Sequence, residues 1–165
     1  MVIITFLTIL FVYSGLFAGY VLSVIAPEEL LPGKDYFKFA EKLLLILIIV
    51  FLTYFIPLSL FMEAFVVMFL AAVVTIIPLR SDIIFASMPL ILFVVAENKD
   101  IFLVESFLVF LFGMVASTLF IANFCKKDKL VKPLYDIFIK LNKRFMFYII
   151  VLLGLYVVSF IFFSA

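Results

Sequence analysis

Four carboxylates stand where they could handle ions: Glu63, Glu97, Asp100 and Glu105. Glu105 falls four residues into a long apolar run, Glu63 lies at similar depth in another, and Glu97 and Asp100 occupy a short polar break. An ionised side chain in hydrocarbon costs about 2.5–3.5 kcal/mol on insertion scales, so acids at such depth point to proton or cation handling. If the four converge, with Lys99 as their neighbouring base, they form an acidic vestibule that concentrates cations. The competing account is that all four reach water at the interface, on a face left acid-rich because bases are excluded from it.

Little other chemistry is open to this chain. It has no His, Trp or Gln and one Cys, which excludes His-based metal sites, Ser-His-Asp triads and internal disulfides. Cys125 is flanked by Lys126 and Lys127, which favour a thiolate, but with no resolving Cys it reads as an inert interfacial thiol. Glu28 and Glu29 read as a solvated turn. There is no phosphate-binding glycine loop, no GxSxG elbow, no GD or DxxD aspartate pair within an apolar run and no dinucleotide fingerprint. No cofactor or metal is expected, and an enzyme is the less favoured class.

Tyr13 and Ser14 fall near the middle of the first apolar run, as packing residues or as substrate contacts. Beside them Gly15 and Gly19 form a GxxxG pattern, and Gly113, Ala116 and Ser117 give a comparable small face further on. Small residues let helix backbones approach closely where lipid is as apolar as the side chains, so these two segments are expected to pack, within one chain or across a homodimer.

The elements that carry these residues follow from composition. Hydrophobic residues make up 69% and charged residues 14% of the 165, with 24 Phe, and the mean hydropathy is +1.46. Too few polar side chains remain to cover a water-facing surface, so the expected solvent is lipid. A net charge of +1 argues against a nucleic-acid partner.

A spanning helix takes about 20 apolar residues. The run 43–79 is too long for one crossing, and the stretch TYFIPLSLFMEA, with Pro57 and Ser59, supplies a turn inside it. The expected fold is all-α: a polytopic integral membrane helix bundle of six transmembrane helices, at 2–25, 39–56, 60–78, 82–97, 101–124 and 145–164. The first is read as a retained helix and not a cleaved signal, since no positive charge precedes it and its apolar part is too long.

The cytoplasmic loops are then 26–38, 79–81 and 125–144. With Lys42 at the mouth of the first, this side holds all but Lys99 of the 12 Lys and Arg residues, so the positive-inside rule puts both termini outside. After Pro133, Leu134, Phe138 and Leu141 recur at helical spacing, predicting a short interfacial amphipathic helix before the last span. Lys126, Lys127, Lys129, Lys132, Lys140, Lys143 and Arg144 are expected to contact anionic lipid.

A short internal similarity pairs residues 35–50 with 136–151 at six positions; if it reflects duplication, the first two helices recur as the last two in the same orientation. The leading expectation is a small multi-pass protein of transport or channel type in a prokaryotic cell membrane, working as a homo-oligomer and linked to cations or protons through its outer carboxylates. The alternatives are a non-transporting structural or assembly subunit among other membrane proteins and, third, a lipid-modifying enzyme.

Overall fold

The computed structural model describes residues 2–55, 80–126, 129–130 and 134–163, with the single positions 66, 68, 69, 72 and 74. The expected span 60–78 and Glu63 therefore lie outside the described residues, apart from those single positions. Helix α1 is Val2–Ile25, α2 Lys34–Phe55, α3 Ser81–Val95, α4 Lys99–Ala122 and α5 Leu134–Phe163. A 3-10 turn, Pro27–Glu29, follows α1, and a two-residue antiparallel ladder, β1 Cys125–Lys126 with β2 Lys129–Leu130, separates α4 from α5.

Local chemistry sets these boundaries. Pro27 lies two residues past the end of α1, and Gly33 bridges into α2 by donating its N–H to the Glu29 carbonyl at 2.9 Å. Asn98 caps α4: its side-chain oxygen accepts from the backbone N–H of Asp100 at 3.2 Å and of Ile101 at 3.3 Å. Pro89 sits inside α3 without ending it.

Contacts along the helices give their directions. Gly15 lies against Phe110 and Gly19 against Met114 and Ser117, so α1 and α4 run the same way. Phe6 meets Tyr156 and Phe17 meets Phe138, so α5 runs opposite to α1. Asp82 pairs with Arg144 and Phe85 stacks on Tyr148, so α3 runs with α5. Lys34, at the start of α2, donates to Asn123 at the end of α4 at 3.1 Å, and α2 packs along α4. Helices α1 and α4 thus point one way and α2, α3 and α5 the other.

The centre of the bundle is a cluster of rings. Phe85 is fully buried and stacks on Tyr148 at 4.6 Å, with Phe112 at 6.4 Å, Phe145 edge-on at 5.7 Å and Tyr13 at 6.4 Å. The Tyr148 hydroxyl satisfies itself in this apolar setting by donating to the Ile9 carbonyl at 2.8 Å. The outer faces carry large apolar side chains, among them Leu7, Phe11, Leu103, Phe107, Phe147 and Val157, all exposed.

The chain is all-helical apart from the small ladder among the described residues, and three of the helices are long and apolar enough to cross a membrane: Ile4–Ile25, Lys99–Ala122 and Tyr135–Val158. The other expected spans fare differently. Helix α2 begins at Lys34, inside the expected loop, and carries Lys38, Glu41 and Lys42 in its first half. Helix α3 has 15 residues, about 22 Å of rise, against roughly 30 Å of hydrocarbon.

The interfacial helix requires a correction. Residues 134–144 are not a separate element lying in the headgroup layer; they are the first turns of the continuous 30-residue α5. The reason is that their apolar side has protein to pack on. Ile137 is buried against Leu30, Ile121 and Ala122, Leu141 is buried in the main core, and Phe138 meets Tyr20 at 5.2 Å and Phe17 at 5.8 Å.

Candidate functional site

The two ends of the bundle differ in kind. At one end Glu97 lies in the break between α3 and α4 and Asp100 in the first turn of α4, both exposed, with Lys99 exposed between them. Six residues into α4, about 9 Å along its axis, Glu105 is fully buried, at 0% exposure. It shares its helical phase with Phe102, Val109 and Phe112, all members of the main core, so the carboxyl is carried on the face that α4 turns inward. Among the described residues neither carboxyl oxygen of Glu105 has a hydrogen-bond partner, and the hydroxyl of the adjacent buried Ser106 has none either. Of the described acids of the expected vestibule, Glu97 and Asp100 are exposed and Glu105 is buried in the core; no group of three or more metal-ligating side chains forms among the described residues.

The opposite end is a collar of charges. The Asp82 carboxylate, in the first turn of α3, is buried and accepts two hydrogen bonds from Arg80, at 2.7 Å from Nη2 and 3.3 Å from Nε. Arg144 of α5 approaches the same carboxylate with its Nε at 3.5 Å while its guanidinium lies over the Phe120 ring of α4 at 5.2 Å. The hydrogen bond and charge of Asp82 raise the pKa of Arg80 above its usual value. Nearby on α2, the half-buried Glu41 has its Oε1 without a hydrogen-bond partner among the described residues, and Lys38, at 2.8 Å, holds the exposed Asp35 carboxyl below its ordinary range. Lys140 lies over the Phe124 ring at 5.7 Å.

Between α3 and α5 this collar opens into a groove of ≈ 560 Å³, with Arg80, Asp82, Lys143 and Arg144 at its mouth and Ile83, Ala86, Phe147 and Val151 along its wall. No family model, curated protein or solved structure matches the chain. What the site does must therefore be argued from its own side chains.

The remaining singled-out residues fall in the interior. Tyr13 is buried in the ring cluster, its hydroxyl 3.4 Å from the Asn142 side-chain oxygen, and Ser14 is half-buried. A Cβ on Gly15 would overlap the Phe110 carbonyl, one on Gly19 the Met114 carbonyl and Ser117 hydroxyl, and one on Gly113 the Phe85 ring. Ala116 and Ser117 are buried beside them. Of the seven bases singled out between 126 and 144, Lys127 and Lys132 lie outside the described residues, and Lys126 and Lys129 are described only as strand backbone.

Sequence reasoning passed over Asp82, Thr118 and Asn142. Thr118 hydrogen-bonds its own helix at the Met114 carbonyl, 2.8 Å away, and reaches the Gly19 carbonyl of α1 at 3.4 Å. A signal for Asp82 was present: an Arg-x-Asp triplet at the head of one apolar run, with Arg144 at the head of another.

Proposed function

We propose that the chain is a six-span membrane protein of transport or channel type, with both termini outside, in which Glu105 exchanges protons or a small cation with the outer side. The observation that carries this is Glu105 itself: a fully buried carboxyl with neither oxygen hydrogen-bonded among the described residues. Natural cores satisfy nearly all of their buried polar groups, and an unpaired acid in a membrane helix is the group that a proton or cation joins. The exposed Glu97 and Asp100 at the same end would gather cations ahead of it.

Helix direction supports the topology. Because α2 and α3 run the same way, the chain must return between them, which a crossing by residues 60–78 would accomplish. The Lys and Arg side chains of the collar then share one side, with Lys99 on the other, as the positive-inside rule requires.

Reconstitution tests the reading. Protein in liposomes is expected to dissipate an imposed proton or alkali-cation gradient, with Glu105→Gln lowering the flux at least tenfold and the exposed Glu97→Gln lowering it less than about threefold. Absence of flux from well-folded wild-type protein would overturn the proposal and leave the structural-subunit reading in its place.

A further inference from the structure

We infer that the groove between α3 and α5 is a binding site for one anionic phospholipid of the inner leaflet. The phosphate lies among Arg80, Lys143 and Arg144, and an acyl chain runs along Ile83, Ala86, Phe147 and Val151. This goes beyond the transport proposal and does not need it; it rests on the helices being in a membrane with the charged collar on the inner side, as in the topology proposed above.

The charge pattern selects the headgroup. Three bases face a single acid at the mouth. Asp82 is buried and engaged by both arginines, through hydrogen bonds from Nε and Nη2 of Arg80 and an ion pair with Nε of Arg144. The rest of each guanidinium is free to donate, and among the described residues no second acid bonds to either arginine. Lys143 is exposed and has no ion pair there. Asp82 therefore acts as a bracket: it fixes two guanidinia on one side of the groove and leaves donor edges for phosphate oxygens, the geometry arginine favours. Phe120, beneath the Arg144 guanidinium, holds it in place from the other side.

The wall selects the tail. Immediately below the charged mouth, Ile83 and Phe147 are exposed, 61% and 63%, and Ala86 and Val151 continue the same strip one to two turns deeper. A polar mouth over an apolar strip matches a lipid, whose phosphate and acyl chain are covalently joined in that order. It does not match a free phosphate, which would leave the strip unused. Long-range attraction of the basic segment to an anionic surface is a different effect, since it needs neither the groove nor its wall.

The test is native mass spectrometry of the full chain in detergent, titrated with phosphatidylglycerol, phosphatidylcholine or glycerol phosphate, with the melting temperature recorded for every variant. One phosphatidylglycerol is expected to be retained in preference to phosphatidylcholine. Lys143→Gln should weaken retention about fivefold. Ile83→Glu, an exposed position where a carboxylate would repel the lipid, should abolish it at an unchanged melting temperature. Lys126→Gln with Lys127→Gln, two bases that the proposed site does not use, should leave it intact. Equal retention of phosphatidylcholine, loss only in the Lys126/Lys127 variant, or glycerol phosphate binding as tightly as the lipid would each overturn the inference.

Discussion

Among the individual residues, Glu105 and Asp82 are opposites. Both are buried acids on apolar helices, yet Asp82 is paired with two arginines and Glu105 has no hydrogen-bond partner among the described residues. Replacing an unsatisfied buried polar group by an apolar one of similar size is neutral or stabilising, so Glu105→Leu is expected to raise the stability of the purified protein by about 1–2 kcal/mol while abolishing flux. Thermal unfolding in detergent together with liposome flux checks both halves; a destabilised Glu105→Leu would mean the carboxyl is held by something. Asp82→Asn should cost about 1–2 kcal/mol, no more, because the arginines it brackets are largely exposed and screened. The acids were legible in the sequence as candidates, but their burial was not. Glu105 and its neighbours Glu97 and Asp100 differ by helical phase and by the position of the Asn98 cap, and neither is settled by counting apolar residues. The Arg144–Asp82 pair joins residues 62 positions apart, which assigning charge loop by loop cannot reveal.

At the level of helices, α1 and α4 depend on contact without side chains. Gly15 and Gly19 bring the α1 backbone against α4 so closely that a methyl group would meet a carbonyl. Gly15→Ala and Gly19→Ala are therefore each expected to lower stability by about 1–3 kcal/mol, the ordinary cost of overpacking. Gly154, with nothing within 4 Å of an added Cβ, supplies the contrast: Gly154→Ala should be neutral or gain up to about 1 kcal/mol from helix propensity. Unfolding midpoints of the three variants in detergent would decide the matter, and equal effects at all three positions would contradict it. Apolar run length was enough to find α1 and α4 in the sequence to within two or three residues. It failed for α5, where Pro133 and an amphipathic pattern suggested a separate element. From Leu134 to Phe163 no proline interrupts the chain, and Ile137, Phe138 and Leu141 find protein partners that a periodicity argument cannot see.

For the molecule as a whole, the claim at stake is sidedness. In sealed right-side-out vesicles carrying a Cys125→Ser background, a membrane-impermeant maleimide is expected to label Glu97→Cys directly. In the unsubstituted chain it should reach Cys125 only after permeabilisation. The reverse pattern would invert the placement of every acid and base described above. The all-helical class, with three helices long and apolar enough to cross a membrane, was legible in the 69% apolar composition. The opposed directions of the helices, the collar of charges and the central ring cluster around Phe85 emerge only when side chains distant in sequence meet.

In the six-span topology proposed above, helix α3 has a consequence for the lipid around it. Its described length is about 8 Å short of a typical hydrocarbon layer, and Ile83, Leu90 and Val94 along it are exposed and not shielded by neighbouring helices. Acyl chains beside it must compress to meet it, at a cost of fractions of a kcal/mol for every ångström. The protein should therefore hold its structure best in membranes of short-chain lipids and pinch longer-chain membranes wherever it sits.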